Sequence, residues 1–383
     1  MTQTARPGGR PILMPDEVAR VRAPLERSAT LPPAAYVDPR VYDVEVDTVF
    51  ARDWVCVARA EQVPGPGDYV CVDVPGQPIV VARGRDGVLR AFSRICLHRA
   101  MPVAEGAGNA GRFVCPYHHW TYELDGTLRS APMMAGAEGF EPARCRLPAL
   151  RLEVWQGFVF VNRDPEAAAL APRLAGLEAL IRPYRFDGLA VAATTEFDSP
   201  WNWKILVENF MEAYHHIGIH GTTFEPVYPA RDSSVPDNGG EPWTFLRMPG
   251  RAGTEDAAPA LFPDLEGAER RQLVAANVYP TLLFAASAAG AFWYQLEPRG
   301  HDAMRLRIHV LLPAAVAGAM SEDDRHGAIE LVRGIHLEDV PANEGPWRGL
   351  HGSMTGQGRL SPYEKAIWQL NQLWLDRVEA RLL

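Results

Sequence analysis

Acidic and histidine side chains are concentrated in the stretch from Asn202 to His220, NWKILVENFMEAYHHIGIH. They are Glu208, Glu212, His215, His216 and His220. Buried acids and imidazoles are costly unless each one is paired or bound to a metal. Two imidazoles with open positions, joined by one carboxylate from elsewhere, form a facial triad for non-haem Fe(II). The alternative is a helix whose scattered polar residues are satisfied by ordinary hydrogen bonds.

The same stretch is predicted to be one largely buried helix, because apolar residues recur between the polar ones at helical spacing. His215 and His220 are five residues apart, which places their side chains roughly 140° apart on a regular helix. Both can bind one ion only if the helix is distorted or ends between them. Gly218 offers the backbone freedom for such a break.

A second group of candidate ligands lies upstream, in Cys96-Leu97-His98 and Cys115-Pro116-Tyr117-His118. Two thiolates and two imidazoles suit a tetrahedral zinc ion, or a [2Fe–2S] cluster with both cysteines on one iron and both histidines on the other. The C-x-H spacing differs from that of common zinc modules and favours the cluster. His119 adjoins His118, and the loop spacing favours His118 as the ligand.

Length and composition limit the class of protein. The chain has 383 residues and a net charge of −9, which suggests two domains and argues against a nucleic-acid or anionic-membrane partner. No apolar run reaches membrane-spanning length, and the N-terminus lacks the apolar core of a signal peptide. We therefore expect a cytoplasmic protein whose five cysteines are metal ligands or buried thiols rather than disulfides.

The elements that must position these groups differ between the two halves. Residues 54–162 contain short strand-like runs with Asp-Gly turns, which predicts a small antiparallel sandwich or barrel around the cysteine loops. Leu152–Val161 is predicted as a single strand. Further strands are predicted at 278–284, 291–296 and 304–312, and a closing helix at 362–383. Residues 229–267 are predicted as a long loop, either a lid or disordered.

The two motifs, in this order, resemble the α (terminal oxygenase) subunits of the Rieske non-haem iron aromatic-ring-hydroxylating oxygenase family. The matching segments are C-L-H-R, C-P-Y-H-H-W, N-W-K, E-N-F, and Tyr214-His215 followed after four further residues by His220. The resemblance covers roughly residues 40–383. The resemblance implies an α+β fold. An N-terminal arm (1–45) would pack on the catalytic domain, followed by a small antiparallel β Rieske domain (46–165). A larger helix-grip-like α+β catalytic domain with an antiparallel sheet would occupy residues 166–383.

The resemblance also assigns the site residues. It implies that a Rieske [2Fe–2S] cluster is bound by Cys96, His98, Cys115 and His118. It implies that a mononuclear Fe(II) is bound by His215, His220 and an aspartate far toward the C-terminus. We expect that aspartate to be Asp339, with Glu338 and Glu344 as the alternatives.

Asn209 and Glu212 are expected to be catalytic. By resemblance, Glu212 joins an iron-ligand imidazole to a cluster-ligand imidazole of the neighbouring subunit, which requires a closed ring, most simply a homotrimer. A carboxylate suits this role because it accepts hydrogen bonds from two imidazole N–H groups.

The implied activity is that of a terminal oxygenase acting on O2 and a small organic substrate. The chain has no nicotinamide or flavin fingerprint, so its electrons must come from a separate reductase or a ferredoxin. Glutamate at 212, where many ring dioxygenases carry aspartate, favours monooxygenation or demethylation of a methylated amine or aromatic acid. The alternatives are a ring cis-dihydroxylating dioxygenase α subunit, with a β subunit, and a Rieske electron carrier with a degenerate iron site.

Arginines flank the cluster loops of this otherwise acidic chain. They are Arg90, Arg94, Arg99, Arg112, Arg144 and Arg146. They are either a docking patch for an acidic redox partner or ordinary surface residues.

Overall fold

The computed structural model describes residues 11–253 and 261–383. Its helices are α1 (Pro15–Arg22), α2 (Ala34–Val37), α3 (Pro39–Thr48), α4 (Ala175–Ile181), α5 (Trp203–Phe210), α6 (Ala314–Ala319), α7 (Glu322–Leu350) and α8 (Lys365–Leu382). Its strands are β1 (Val55–Arg59), β2 (Asp68–Val74), β3 (Gln77–Arg83), β4 (Leu89–Ser93), β5 (Ala107–Asn109), β6 (Phe113–Val114), β7 (Thr121–Tyr122), β8 (Leu128–Ser130), β9 (Ala149–Trp155), β10 (Phe158–Asn162), β11 (Leu189–Ser199), β12 (Trp243–Pro249), β13 (Gln272–Val278), β14 (Leu282–Ser287), β15 (Gly290–Pro298) and β16 (Met304–Pro313). Across the described ranges, no helix combines the length and the apolar character needed to cross a membrane.

Two antiparallel sheets form the N-terminal β region. Seven strands pair in the order β1-β10-β9-β4-β3-β2-β5, and β6-β7-β8 make a small separate sheet. The predicted Asp-Gly turns join β3 to β4 and β7 to β8, where Gly87 and Gly126 adopt the positive φ that an L side chain disfavours. One cysteine loop follows β4 of the seven-stranded sheet and the other follows β6 of the small sheet, so each loop begins at the end of a strand.

A six-stranded antiparallel sheet forms the second region, in the order β11-β16-β15-β14-β13-β12. The long helix α7 contacts β11, β16 and α5, and α8 contacts β12. Packing α7 against α5 brings the two parts of the sequence with the predicted iron ligands together. The α+β class and the antiparallel sheets predicted above are confirmed.

The N-terminal segment lies against the C-terminal part of the chain. Arg22 of α1 forms ion pairs with Asp376 (2.8 Å) and Glu379 (2.7 Å) of α8. In α3, Glu45 is fully buried and accepts the Lys204 ammonium at 2.5 Å. The indole N–H groups of Trp203 and Trp374 also donate to Glu45, which joins α3, α5 and α8 in one buried polar cluster.

Several predicted elements are wrong in their bounds. The helix expected over 202–220 ends at Phe210, and the 3₁₀ turn Tyr214–Ile217 follows it. Leu152–Val161 is two strands, β9 and β10, joined by a turn at Gln156 and Gly157, both at positive φ. The strand expected at 278–284 contains instead the turn between β13 and β14. The loop expected over 229–267 contains β12, while its residues 254–260 lie outside the described ones.

Candidate metal centres and active site

The two cysteine loops repeat the same backbone turn. The Cys96 N–H donates to the carbonyl of Met101, and the Ala100 N–H donates back to the Cys96 carbonyl. Cys115, His119 and Trp120 reproduce both hydrogen bonds. The fourth residue after each cysteine, Ala100 or His119, has positive φ, an uncommon conformation for a side chain with a Cβ. The loops therefore present matched tips although their C-x-H and C-x2-H spacings differ.

The thiols and imidazoles at these tips occupy different environments. Cys96 and Cys115 are buried, whereas His98 is exposed and His118 is half-buried. The Nδ1 atoms of His98 and His118 lie 3.1 Å apart, so both nitrogens converge on one point. His119 does not take part in this convergence. The indole of Trp120 stacks on one face of the His98 ring, with the ring centroids 5.0 Å apart.

The spacing of the four donor atoms distinguishes zinc from a [2Fe–2S] cluster. A tetrahedral ion would hold all four within about 4 Å of one another. In the described part of the chain, however, only one set of three or more such donors lies within 4.8 Å, and it is the His215 set. A sulfur pair and a nitrogen pair that do not share one centre suit two bridged irons. Burial, together with the neighbouring Cys115, raises the pKa of the Cys96 thiol, so a bound cation is needed to hold both thiolates.

The predicted iron ligands are brought together in the second region. The Nε2 atom of His220 lies 3.0 Å from Oδ1 of Asp339, and Nε2 of His215 lies 3.6 Å from the same oxygen. Asp339 comes from α7, whereas the histidines lie on and just beyond the 3₁₀ turn that follows α5. Glu344 is exposed and is not part of the set. Two imidazoles and one carboxylate on three separate turns are the donors of a facial triad.

Carboxylates hold the outward nitrogens of both imidazoles. Oε1 of Glu212 lies 2.6 Å from Nδ1 of His215, and Oε2 of Glu338 lies 2.7 Å from Nδ1 of His220. These contacts keep the proton on Nδ1 and turn the Nε2 lone pair toward Asp339, an arrangement common behind metal-binding histidines. Sequence reasoning considered Glu338 only as a competing ligand. Its position next to Asp339 in the sequence was the one signal for this supporting role, and its contact with His220 became visible only in the structure.

Glu212 also explains why the predicted helix stops early. Its second oxygen accepts the backbone N–H of His215 at 2.9 Å, which starts a new turn three residues after the acid. The break at 211–213 therefore separates the two histidines from α5, and Gly218 only ends the following turn. His215 and His220 can then face one point without distortion of a long helix.

Asn209 and His216 have different surroundings from the ligands. Oδ1 of Asn209 accepts a hydrogen bond from the buried Asn343 of α7 at 3.3 Å, so Asn209 ties α5 to the helix that carries Asp339. His216 is buried, and its Nδ1 lies 3.1 Å from the carbonyl of Tyr228. Burial lowers the pKa of His216 to about 4, which keeps the ring neutral beside the triad.

Glu212 lies between a cavity and a surface groove. The cavity lies over the triad, is partly open to solvent, and contains about 630 Å³ of space including its mouth. The groove, of about 1020 Å³, is lined on its far side by Tyr36 and Glu364. Asn209, Glu212 and His215 line both spaces. A group seated in the groove would therefore reach the same carboxylate that holds an iron-ligand imidazole.

Most of the arginines near the cluster loops are paired with acids of this chain. Arg90 bonds Asp86 at 2.7 Å, and Arg94 bonds Asp73 at 2.6 Å. Arg112 and Arg144 likewise pair with Glu123 and Glu141, while Arg99 lies over the Tyr117 ring. This pairing weakens the hypothesis of a positive docking patch.

Comparisons with known proteins agree with this geometry. The model of the Rieske [2Fe-2S] domain matches residues 53–145, and that of the ring hydroxylating alpha subunit (catalytic domain) matches residues 186–380. The oxygenase subunit of carnitine monooxygenase from Escherichia coli (strain K12) is 39% identical over 190 residues, 49% of this chain and 50% of the relative. The match thus spans about half the length of that curated relative.

Two further relatives cover more of the chain. Choline monooxygenase, chloroplastic, from Spinacia oleracea is 25% identical over 364 residues, 92% of this chain and 79% of the relative. The crystal structure of a quaternary ammonium Rieske monooxygenase in complex with its substrate L-carnitine superposes with a TM-score of 0.79 at 26% identity. It covers 95% of this chain and 99% of the other. The family's two cofactors, a Rieske cluster and a mononuclear iron, fit the two donor sets described above, and the chain belongs to the α subunits of the Rieske ring-hydroxylating oxygenases.

Proposed function

We propose that this chain is the terminal oxygenase component of a monooxygenase that oxidises a methylated amine, with O2 and electrons from a separate NAD(P)H-dependent reductase. The observation that carries the proposal is the set of His215, His220 and Asp339 opening onto a partly enclosed cavity. An electron carrier has no use for such a set. The names of the similar proteins, which act on carnitine or choline, support a methylated amine and a monooxygenase outcome.

The roles of the residues follow from their contacts. Cys96, His98, Cys115 and His118 would hold the cluster, and His215, His220 and Asp339 would hold the iron, which when bound supplies activation of O2. Glu212 and Glu338 orient the two imidazoles through their Nδ1 atoms. Asn209 keeps α7 beside α5, so that the carboxylate of Asp339 stays near both Nε2 atoms.

The position of Glu212 supports an assembly of several copies, which is part of the same proposal. Its carboxylate is 8% exposed, and the groove beside it is open in the single chain. The exposed His98 of a neighbouring copy is a suitable partner for this acid, because an imidazole N–H can donate to it while His215 remains bound. Repeating this contact gives a closed ring, most simply a trimer. The division into an arm (1–45), a Rieske domain (46–165) and a catalytic domain (166–383) belongs to the same proposal.

Metal analysis followed by turnover tests this function. The purified chain should contain about three irons and two labile sulfides, against about two irons for an electron carrier. With a surrogate reductase, NADH and O2, each turnover of a trimethylammonium substrate should consume one O2 and two electrons. One oxygen atom should enter product and one should become water. Zinc in place of iron and sulfide, or O2 consumption that never yields an oxygenated or demethylated product, would contradict the proposal.

A further inference from the structure

The cavity over the triad has a chiefly apolar wall opposite the candidate ligands. Met248, Leu273, Ala275 and Ala285 face it from the six-stranded sheet, and Val332 and Ile335 face it from α7. None of these side chains can pair with a charged group. The part of a substrate that extends away from the triad must therefore be compatible with an apolar surface.

No lysine or arginine lines this cavity in the described part of the chain, and its ionisable lining residues are the acids Glu212 and Asp339 and the histidines of the triad region, His215, His216 and His220. Both lysines of the chain form ion pairs elsewhere, Lys204 with the buried Glu45 at 2.5 Å and Lys365 with Asp237 at 2.6 Å. A betaine whose ammonium lies near the triad would place its carboxylate against the apolar wall, where it would lose its hydration with no lysine or arginine of the described residues to pair with it. Burying an unpaired anion near other carboxylates is strongly unfavourable.

Aromatic rings supply a different kind of recognition. The rings of Phe210 and Tyr294 lie 4.8 Å apart at an angle of 54°, and Phe292 also lines the cavity. On the side of the triad, Phe224 lies 4.8 Å from the ring of His220. Aromatic faces attract quaternary ammonium groups, and desolvation in an enclosed site strengthens that attraction.

Resting on the proposed oxidation of a methylated amine, we propose that the substrate is a methylated ammonium carried on an uncharged, apolar body. A betaine, in which the ammonium is joined to a carboxylate, is excluded by the lining. The aromatic rings hold the ammonium near the triad, and the apolar wall from the sheet and α7 receives the rest of the molecule.

Calorimetric titration of the oxidised holoenzyme, without reductase, tests this with a matched pair of ligands. Butyltrimethylammonium and γ-butyrobetaine differ only in a terminal methyl group against a carboxylate. We expect butyltrimethylammonium to bind at least about tenfold more tightly. Equal or tighter binding of γ-butyrobetaine, or no binding of either compound, overturns the inference. Choline should likewise bind better than its uncharged isostere 3,3-dimethylbutan-1-ol, and equal binding contradicts recognition of the ammonium.

Two substitutions sharpen the test. Tyr294→Leu keeps an apolar side chain but removes a ring, and should weaken binding of butyltrimethylammonium by about tenfold. Leu273→Arg places a cation in the apolar wall and should shift the preference toward γ-butyrobetaine. Leu331→Arg, on the exposed side of α7, is the matched control and should leave the preference unchanged. A preference that Leu273→Arg does not move would contradict the assignment of this wall to the substrate body.

Turnover separates this inference from the proposed function. If butyltrimethylammonium binds preferentially but gives no oxygenated product with reductase and O2, the proposed function fails and the assignment of the cavity stands. If γ-butyrobetaine binds better and is oxidised, the proposed function stands and the inference fails.

Discussion

The two candidate metal centres are built in opposite ways. At the cluster site all four donors lie between Cys96 and His118, in two matched loops, and the imidazoles face the surface. At the iron site the ligands come from residues more than a hundred positions apart, and His220 is 1% exposed. The accessible imidazole edges of the cluster site suit electron transfer, whereas the partly enclosed cavity of the iron site suits oxygen chemistry.

Support for the ligands differs in the same direction. His98 is held by stacking on Trp120, and among the described residues no carboxylate contacts it, whereas each iron-site imidazole has an acid at its Nδ1 atom. Acids behind an imidazole raise its basicity and strengthen metal binding. At the cluster site, the ring nitrogens that do not face each other remain free to meet a partner.

The largest expected effect comes from Asp339. Asp339→Ala should lose the mononuclear iron and all product, because within the described part of the chain this is the one carboxylate near both Nε2 atoms. The Rieske absorbance and the fold should remain. Glu344→Ala, at an exposed position on the same helix, is the control and should keep the iron. Iron retained in Asp339→Ala would mean that the third ligand is misplaced.

The cluster site should fail separately. His118→Ala should lose the cluster, measured as labile sulfide and by its electron paramagnetic resonance signal, while keeping the mononuclear iron. His119→Gly is the matched variant, because glycine adopts the positive φ at this position without strain. It should keep the cluster. The reverse pattern in these two variants would move the ligand assignment to His119.

A smaller effect is expected at Glu338. Glu338→Gln should keep the fold and the triad but weaken binding of the mononuclear iron by about 10- to 100-fold, since the amide supports the His220 imidazole less strongly than a carboxylate. Competition with a chelator measures this affinity. If Glu338→Gln loses iron as completely as Asp339→Ala, Glu338 is itself a ligand.

The same contrast explains what the sequence could predict. The cluster ligands were identified because close spacing in the chain also gives closeness in space, and the Asp-Gly turns defined the hairpins around them. Asp339 was reached only through family resemblance, because its distance from His220 depends on the packing of α7 against α5. The early end of α5 was missed because no glycine or proline marks 211–213. There the hydrogen bond from the His215 N–H to Glu212 competes with continuation of the helix.

The turn between β9 and β10 was missed for a related reason. Gln156 takes a positive φ that glutamine rarely adopts, so the apolar run from Leu152 to Val161 gave no signal at that residue. Pairing of the two strands across this turn stabilises the uncommon conformation. Both breaks are therefore set by local interactions, a hydrogen bond between residues three apart in one case and a hairpin turn in the other, that hydrophobic periodicity does not reveal.

The smallest expected effect concerns Glu208 in the groove. Burial raises the pKa of this acid to about 7, while Tyr36 donates a hydrogen bond to it at 2.7 Å. The folded state therefore holds a proton that the unfolded state releases. This stabilisation is present below about pH 4.5 and is lost as the pH rises to about 7.

The size of this effect is about 2 kcal/mol after allowance for partial exposure. Glu208→Gln should flatten the dependence of the unfolding midpoint on pH between 5 and 7.5. Glu330→Gln, at an exposed position of α7, should leave that dependence as it is. An unchanged slope in Glu208→Gln would contradict the raised pKa.

We propose that electrons pass between the two centres through Glu212, and reoxidation of the reduced cluster tests this route. In rapid mixing with O2 and a bound methylated amine, the reduced wild-type cluster should reoxidise as product forms. Glu212→Gln should keep both metal centres, the oligomer and reduction by the partner. Its reduced cluster should then stay reduced, with most activity lost. Normal reoxidation in Glu212→Gln, or full activity in a proven monomer, would contradict the account.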